Sequence, residues 1–368
     1  MKDEGIIPLF DIKSIWECHK ENALSALKGI LDEGRFILGE HTRRLEEKLS
    51  SFLDVPYAVT TSSGTSALYL ALKSLDIGEG DEVITTPFSF IATIHAILLA
   101  GARPVLADIH PGHFNLTAES IEKKISKTTR AVIVVHLFGN PAPISEIKDV
   151  CDNRKIDLIE DACQAVGARF KGRCVGTLGT VGTFSFYPTK NLGGAGDGGL
   201  LVANDAILSK RILSLRVHGE MDGGIFGSIG INGRMDEMQA ALLFIRLKTL
   251  CKENEKRQAL ARFYRDALMD SNIVFQDVLP DAQSVWHLFS ILHSNRDKLK
   301  RRLEEKGVAT GIYYGVPFHL QPHLRYLFYK ESLPYVEEVS RRILQIPIYP
   351  TLEFKQADYI ARAIKESV

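Results

Sequence analysis

The chain has 368 residues, enough for about two domains, and its 45% hydrophobic content supplies core material and excludes a disordered class. Basic and acidic residues balance at 45 each, so no net field draws the chain to nucleic acid or to an anionic membrane. Five scattered cysteines without a CxxC pair, an N-terminus without a signal-peptide core and no bilayer-length apolar run predict a soluble, cytoplasmic protein.

Apolar periodicity predicts helices over 15–31 and 41–53. Strands are then expected over 57–61, 82–86, 104–108, 131–137, 157–161, 180–186 and 200–203. Helices over 65–75, 89–100, 117–125 and 144–154 follow the first four of them. This alternation predicts an α/β fold, a seven-stranded and mostly parallel sheet flanked by helices. Between Phe186 and Leu200 there is no helical pattern, only a glycine-rich segment. Parallel neighbours need a crossover of about a dozen residues or more, so this pair is expected to be antiparallel and the sheet mixed.

A helix over 206–217 and a glycine-rich loop over 218–233 come next. A long helical pattern over 235–270, broken midway, carries the domain change near Leu250. The expectation is a large domain over 1–250, N-terminal helices included, and a smaller α+β domain over 251–368. The latter is read as strands over 286–292 and 310–314 with helices over 296–306, 333–344 and 355–364.

Three stretches carry candidate chemistry. In VGTFSFYPTKNLGGAGDGGLLVAN, Lys190 stands between a strand end and a glycine-rich turn, where a lysine can be held rigidly for Schiff-base chemistry. The same lysine also reads as an ordinary solvated loop residue. In TSSGTSAL, small hydroxyl residues and Gly64 open a helix whose free N–H groups and dipole suit a phosphate, although serine and threonine cap helices in any case. In DLIEDACQ, Asp161 ends a buried strand at the sheet edge where ligands bind in open α/β folds, and Gln164 follows within reach. A protonated pyridine nitrogen is one partner for such a carboxylate; a helix cap is the alternative. The segment from Gly194 to Gly199 satisfies GxGxxG, but it precedes a strand rather than a helix and is no dinucleotide fingerprint. No residue set has metal-ligand spacing.

In order and separation, GTSAL, EDACQ, SFYPTKNLG with GDGG, and GINGRMDEMQAAL resemble the DegT/DnrJ/EryC1/StrS family of sugar aminotransferases. These are pyridoxal 5'-phosphate (PLP) enzymes of fold type I, and the likeness runs from Gly34 to Pro322. It implies that Lys190 carries PLP covalently and moves the proton, Asp161 pairs with the ring nitrogen, and Gln164 bonds the phenolic oxygen. It further implies that Phe90 stacks on the ring, that Gly64, Thr65 and Ser185 bind the phosphate, and that Asn232 reaches it from the other subunit of a homodimer. Tyr313, Tyr314 and His319 are expected either at the sugar nucleotide or in packing. Cys163 stands where the family often has alanine. The implied reaction transfers an amino group from glutamate to a nucleotide-linked keto sugar, a dTDP- or UDP-linked 3-keto hexose, in amino-sugar biosynthesis. A 4-keto sugar nucleotide and a catalytically silent sugar-binding regulator are the alternatives.

Overall fold

The computed structural model describes residues 5–368. Its central sheet has seven strands, ordered Tyr57–Thr61, Gly199–Ala203, Val181–Ser185, Asp157–Asp161, Thr129–Val135, Glu82–Thr85, Arg103–Leu106. Gly199–Ala203 is antiparallel to both neighbours, and the other pairings are parallel. The mixed sheet expected from the helix-free connection is therefore present.

Side chains alternate across a strand, and here both faces are covered. Ala131 and Ile133 join one apolar cluster with Ala67, Leu68, Ile97 and Ile212. Val132 and Val134 join the opposite cluster with Leu45, Leu49, Ile147 and Leu243. Because the parallel strands share one direction, the segments after Thr61, Thr85, Asp161 and Ser185 emerge along one sheet edge. That edge is where a ligand site forms in open α/β sheets.

Two buried carboxylates lock this arrangement. Glu160 is fully buried; Oε2 lies 2.9 Å from His136 Nε2 and accepts from Gly176 N–H at 2.8 Å. Its Oε1 accepts from Leu178 and Gly179 N–H at 2.6 and 2.7 Å. His136 Nδ1 accepts from Ala142 N–H, so the imidazole proton sits on Nε2 and points at Glu160. Burial alone would push the Glu160 carboxyl up; the His136 contact and the Gly176 and Gly179 donors outweigh it and hold it below the usual range. Glu237 plays a similar part from a distance. It accepts from the N–H groups of Gly39, His41 and Thr42, capping the helix Glu40–Leu53.

A third apolar cluster, including Tyr264, Phe289, Leu299, Leu344 and Ile360, lies in the C-terminal part and takes in Ile7. It surrounds a three-stranded antiparallel sheet of Val274–Phe275, Phe289–Leu292 and Ile343–Ile346. Three expectations change here. The strand read over 310–314 is reduced to a single bridge at Gly311. The helix read to 344 ends at Arg342, because Ile343 and Leu344 extend the helical apolar spacing yet pair as strand with Leu292 and Ile291. The first helix is split into Ile12–Glu17 and Lys20–Glu33.

Replacing Glu160 with alanine leaves three backbone N–H groups and the His136 proton without an acceptor. The expected loss is at least about 3 kcal/mol in a denaturant titration, and a loss under about 1 kcal/mol contradicts the clamp. Since the folded carboxyl titrates low, wild-type protein should lose this contribution only as pH falls below the ordinary glutamate range, and Glu160→Ala should lack that part of the acid transition.

Candidate cofactor site

A cleft of about 970 Å³ opens at the strand-end edge of the sheet. Gly64, Thr65, Phe90, Asp161, Gln164, Ser185, Lys190, Tyr313 and Tyr314, all expected from the sequence, line it together. Two others lie elsewhere. His319 is buried with Nε2 3.1 Å from Glu337 Oε1, and Asn232 is exposed, its Oδ1 accepting from Arg234 Nε at 3.0 Å.

The helix Gly64–Ser74 starts with a capping box: Ser63 Oγ accepts from Ser66 N–H at 3.1 Å, and Ser66 Oγ accepts from Ser63 N–H at 2.9 Å. The N–H groups of Gly64 and Thr65 lie in the first turn, where a helix offers no internal acceptor. A Cβ on Gly64 would come within 2.8 Å of Ser185 Cβ and 2.9 Å of Cys163 Sγ. Glycine there lets the helix start, the Ser185 strand end and the Asp161 segment meet.

Lys190 is held by its loop. Its N–H donates to Tyr187 O at 2.8 Å, and Gly194 N–H and Phe186 N–H donate to Phe186 O and Gly198 O, each at 2.8 Å. Beneath it, Asn191 Nδ2 donates to Asn254 Oδ1 at 2.8 Å and to Val285 O at 2.9 Å. Burial pulls the Lys190 ammonium below the ordinary lysine value, against the opposing pull of Cys163 and the Asp161 carboxylate. A larger fraction of neutral amine is therefore present near neutrality.

Asp161 is buried, and its Oδ1 accepts from Cys163 N–H at 3.2 Å while Oδ2 accepts from the Thr93 hydroxyl at 2.9 Å. Gln164 Oε1 accepts from Phe138 N–H at 2.8 Å, and its Nε2 donates to Tyr314 Oη at 3.1 Å. The Tyr314 ring packs edge-on to Phe88 and stacks with Phe138, and burial pushes its hydroxyl up, so it stays protonated. Phe90 keeps 56% of its surface exposed at the cleft.

The sequence reading missed His287, Thr93 and Ser89, which also line the cleft. His287 is brought in by tertiary packing alone; burial, with Lys190 and Arg257 nearby, keeps its imidazole neutral. Thr93 stands three residues after Phe90, one helical turn away, and that spacing was the only available signal.

The donor set fits PLP. Hydroxyls and first-turn N–H groups gather at one end for a phosphate, a partnered carboxylate suits a protonated ring nitrogen, and a half-buried lysine with raised neutral fraction suits the carbonyl. Without a Cβ, Gly64 allows the close approach this needs.

Comparison with known proteins agrees. The model of the DegT/DnrJ/EryC1/StrS aminotransferase family matches residues 17–365. A dTDP-3-amino-3,4,6-trideoxy-alpha-D-glucose transaminase of Streptomyces venezuelae is 39% identical, covering 98% of this chain and 96% of its own. A pleiotropic regulatory protein of Geobacillus stearothermophilus is 37% identical, covering 98% of both chains. The crystal structure of NtdA from Bacillus subtilis with bound cofactor PMP superposes with a TM-score of 0.93 at 29% identity, covering 100% of this chain and 86% of the other. The chain belongs to the DegT/DnrJ/EryC1/StrS aminotransferase family.

Proposed function

We propose that this PLP-dependent aminotransferase moves an amino group from glutamate to a dTDP- or UDP-linked 3-keto hexose. The observation that carries the reading is the convergence of Lys190, Asp161, Gln164, Ser185 and the Gly64–Thr65 helix start on one cleft. The Streptomyces relative, whose name gives a 3-amino dTDP sugar as product, supports the 3-keto position.

PLP, when bound, would supply an electron sink. Gly64, Thr65 and Ser185 would hold its phosphate, and Gln164 its phenolic oxygen. Phe90 offers its exposed ring face to the pyridine plane. Asp161, partnered on both oxygens, would pair with the ring nitrogen. Lys190 Nζ would hold the cofactor's carbonyl carbon and would serve as the base that moves one proton, a role worth ~10²–10⁴-fold in rate. Tyr314 donates its retained O–H to the sugar end, beside Tyr313.

A homodimer completes the site in this reading, with Asn232 of one subunit reaching the phosphate of the other. In its support, the hairpin before Asn232 exposes Met221, Ile225, Phe226 and Ile229, an apolar surface that a second copy would cover. A division into parts 1–250 and 251–368 is supported by the separate apolar cluster around Tyr264 and Phe289. A cytoplasmic location is supported by the five unpaired cysteines, and no described helix is long and apolar enough to cross a membrane. A sugar-binding regulator is the second reading, favoured by the name of the Geobacillus relative. Retention of a half-buried lysine in the same cleft as Asp161 weighs against it.

Lys190→Ala should lower glutamate-dependent turnover by at least about 10²-fold, and a variant that keeps wild-type turnover contradicts the assignment. On cofactor-free protein, acylation of Lys190 followed by peptide mass spectrometry should half-titrate below the 10.5 of an ordinary lysine. Labelling that rises only at or above that value removes the argument from burial. A panel of dTDP- and UDP-linked 3-keto and 4-keto hexoses with glutamate tests the substrate. Turnover of the 3-keto sugars is expected, and turnover confined to 4-keto sugars overturns the choice.

A further inference from the structure

Three buried residues in the lining of the cleft form a chain whose direction the chemistry dictates. Ser89, Thr93 and Asp161 are 3%, 1% and 4% exposed. Ser89 Oγ lies 3.0 Å from Thr93 Oγ1, and Thr93 Oγ1 lies 2.9 Å from Asp161 Oδ2. An ionised carboxylate only accepts, so the Thr93 proton must point at Asp161. A hydroxyl has one proton; with that one committed, the Thr93 oxygen meets Ser89 as acceptor, and Ser89 must donate. The order is Ser89 to Thr93 to Asp161, and bonds in such a chain polarise one another in the same sense.

The last torsion of an aspartate is broad, so one hydrogen bond leaves the carboxylate plane free to turn. Here Oδ1 is held by Cys163 N–H at 3.2 Å and Oδ2 by Thr93. Two donors on separate oxygens fix the plane. Thr93 N–H also donates to Phe90 O at 3.1 Å, so one short segment carries both Phe90 and the Asp161 donor.

We infer that Ser89 and Thr93 are positioning residues, a one-way hydroxyl relay that fixes the Asp161 carboxylate for the PLP ring nitrogen. The inference rests on the proposed pairing of Asp161 with that nitrogen. Neither hydroxyl takes part in the chemistry; they act through Asp161.

The test is PLP binding to the cofactor-free protein, by absorbance titration, with far-UV circular dichroism confirming that each variant is folded. Thr93→Val, which keeps shape and removes the donor, should bind PLP about tenfold more weakly. Thr93→Ser, which restores the hydroxyl, should return to within about twofold of wild type. Ser89→Ala, which leaves Thr93 in place but undirected, should lose about threefold. A general packing role would instead make Thr93→Ser, with its missing methyl, the poorer binder. Wild-type affinity in Thr93→Val overturns the relay, as does a Thr93→Ser variant no better than Thr93→Val. Should Thr93→Val not fold, wild-type affinity in Ser89→Ala overturns it alone. Wild-type protein that does not bind PLP defeats the reading of the site and the relay together, whereas normal wild-type binding with unaffected variants removes only the relay.

Discussion

The reversed strand Gly199–Ala203 is the constraint on which the site depends. Gly199 pairs with Thr61 on one side and with Ser185 on the other, so a single residue sets the spacing between two strand ends. A Cβ at Gly199 would collide with the Ser63 carbonyl, and one at Gly64 would press on Ser185 and Cys163. Side-chain-free positions thus let the helix start at Gly64, the Ser185 strand end and the Lys190 loop share one small volume. A parallel strand in that place would have required a crossover helix between Phe186 and Leu200, where the lysine loop now turns.

Around this backbone frame, burial does the electrostatic work. The chain has no net charge, so its affinity for a phosphorylated, multiply anionic ligand must come from local donors. Burial lowers Lys190 towards its neutral form and likewise keeps His287 neutral and Tyr314 protonated. Asp161 is the exception. It is held in orientation by Thr93 and Cys163 N–H, while the adjacent Glu160 faces the other way and ties down the 176–179 turn. Neighbouring carboxylates on one strand serve opposite faces because successive side chains alternate.

Much of this was legible in the residues. The alternation of strands and helices up to Arg154 announced a sheet covered on both faces. The missing helix after Phe186 announced the reversal. Asp161 was legible because it closes a strand, and Lys190 because it stands in the loop after another; strand ends mark the ligand edge. What was hidden depends on contacts between distant segments. Ile343–Ile346 continues a helical apolar spacing, and only pairing with Phe289–Leu292 makes it a strand. His287 reaches the cleft through packing of the C-terminal part, and no local spacing records it. His319, in a motif with Tyr313 and Tyr314, turns instead to Glu337 because a neighbouring helix offers a carboxylate.

The central claim is that Lys190 and Asp161 hold PLP for amino transfer from glutamate. The absorption spectrum of the purified protein tests it most directly. The account predicts a band near the visible edge after reconstitution with PLP, bleached by glutamate and lost in Lys190→Ala after dialysis. A protein that stays colourless with PLP, or whose band ignores glutamate, contradicts it.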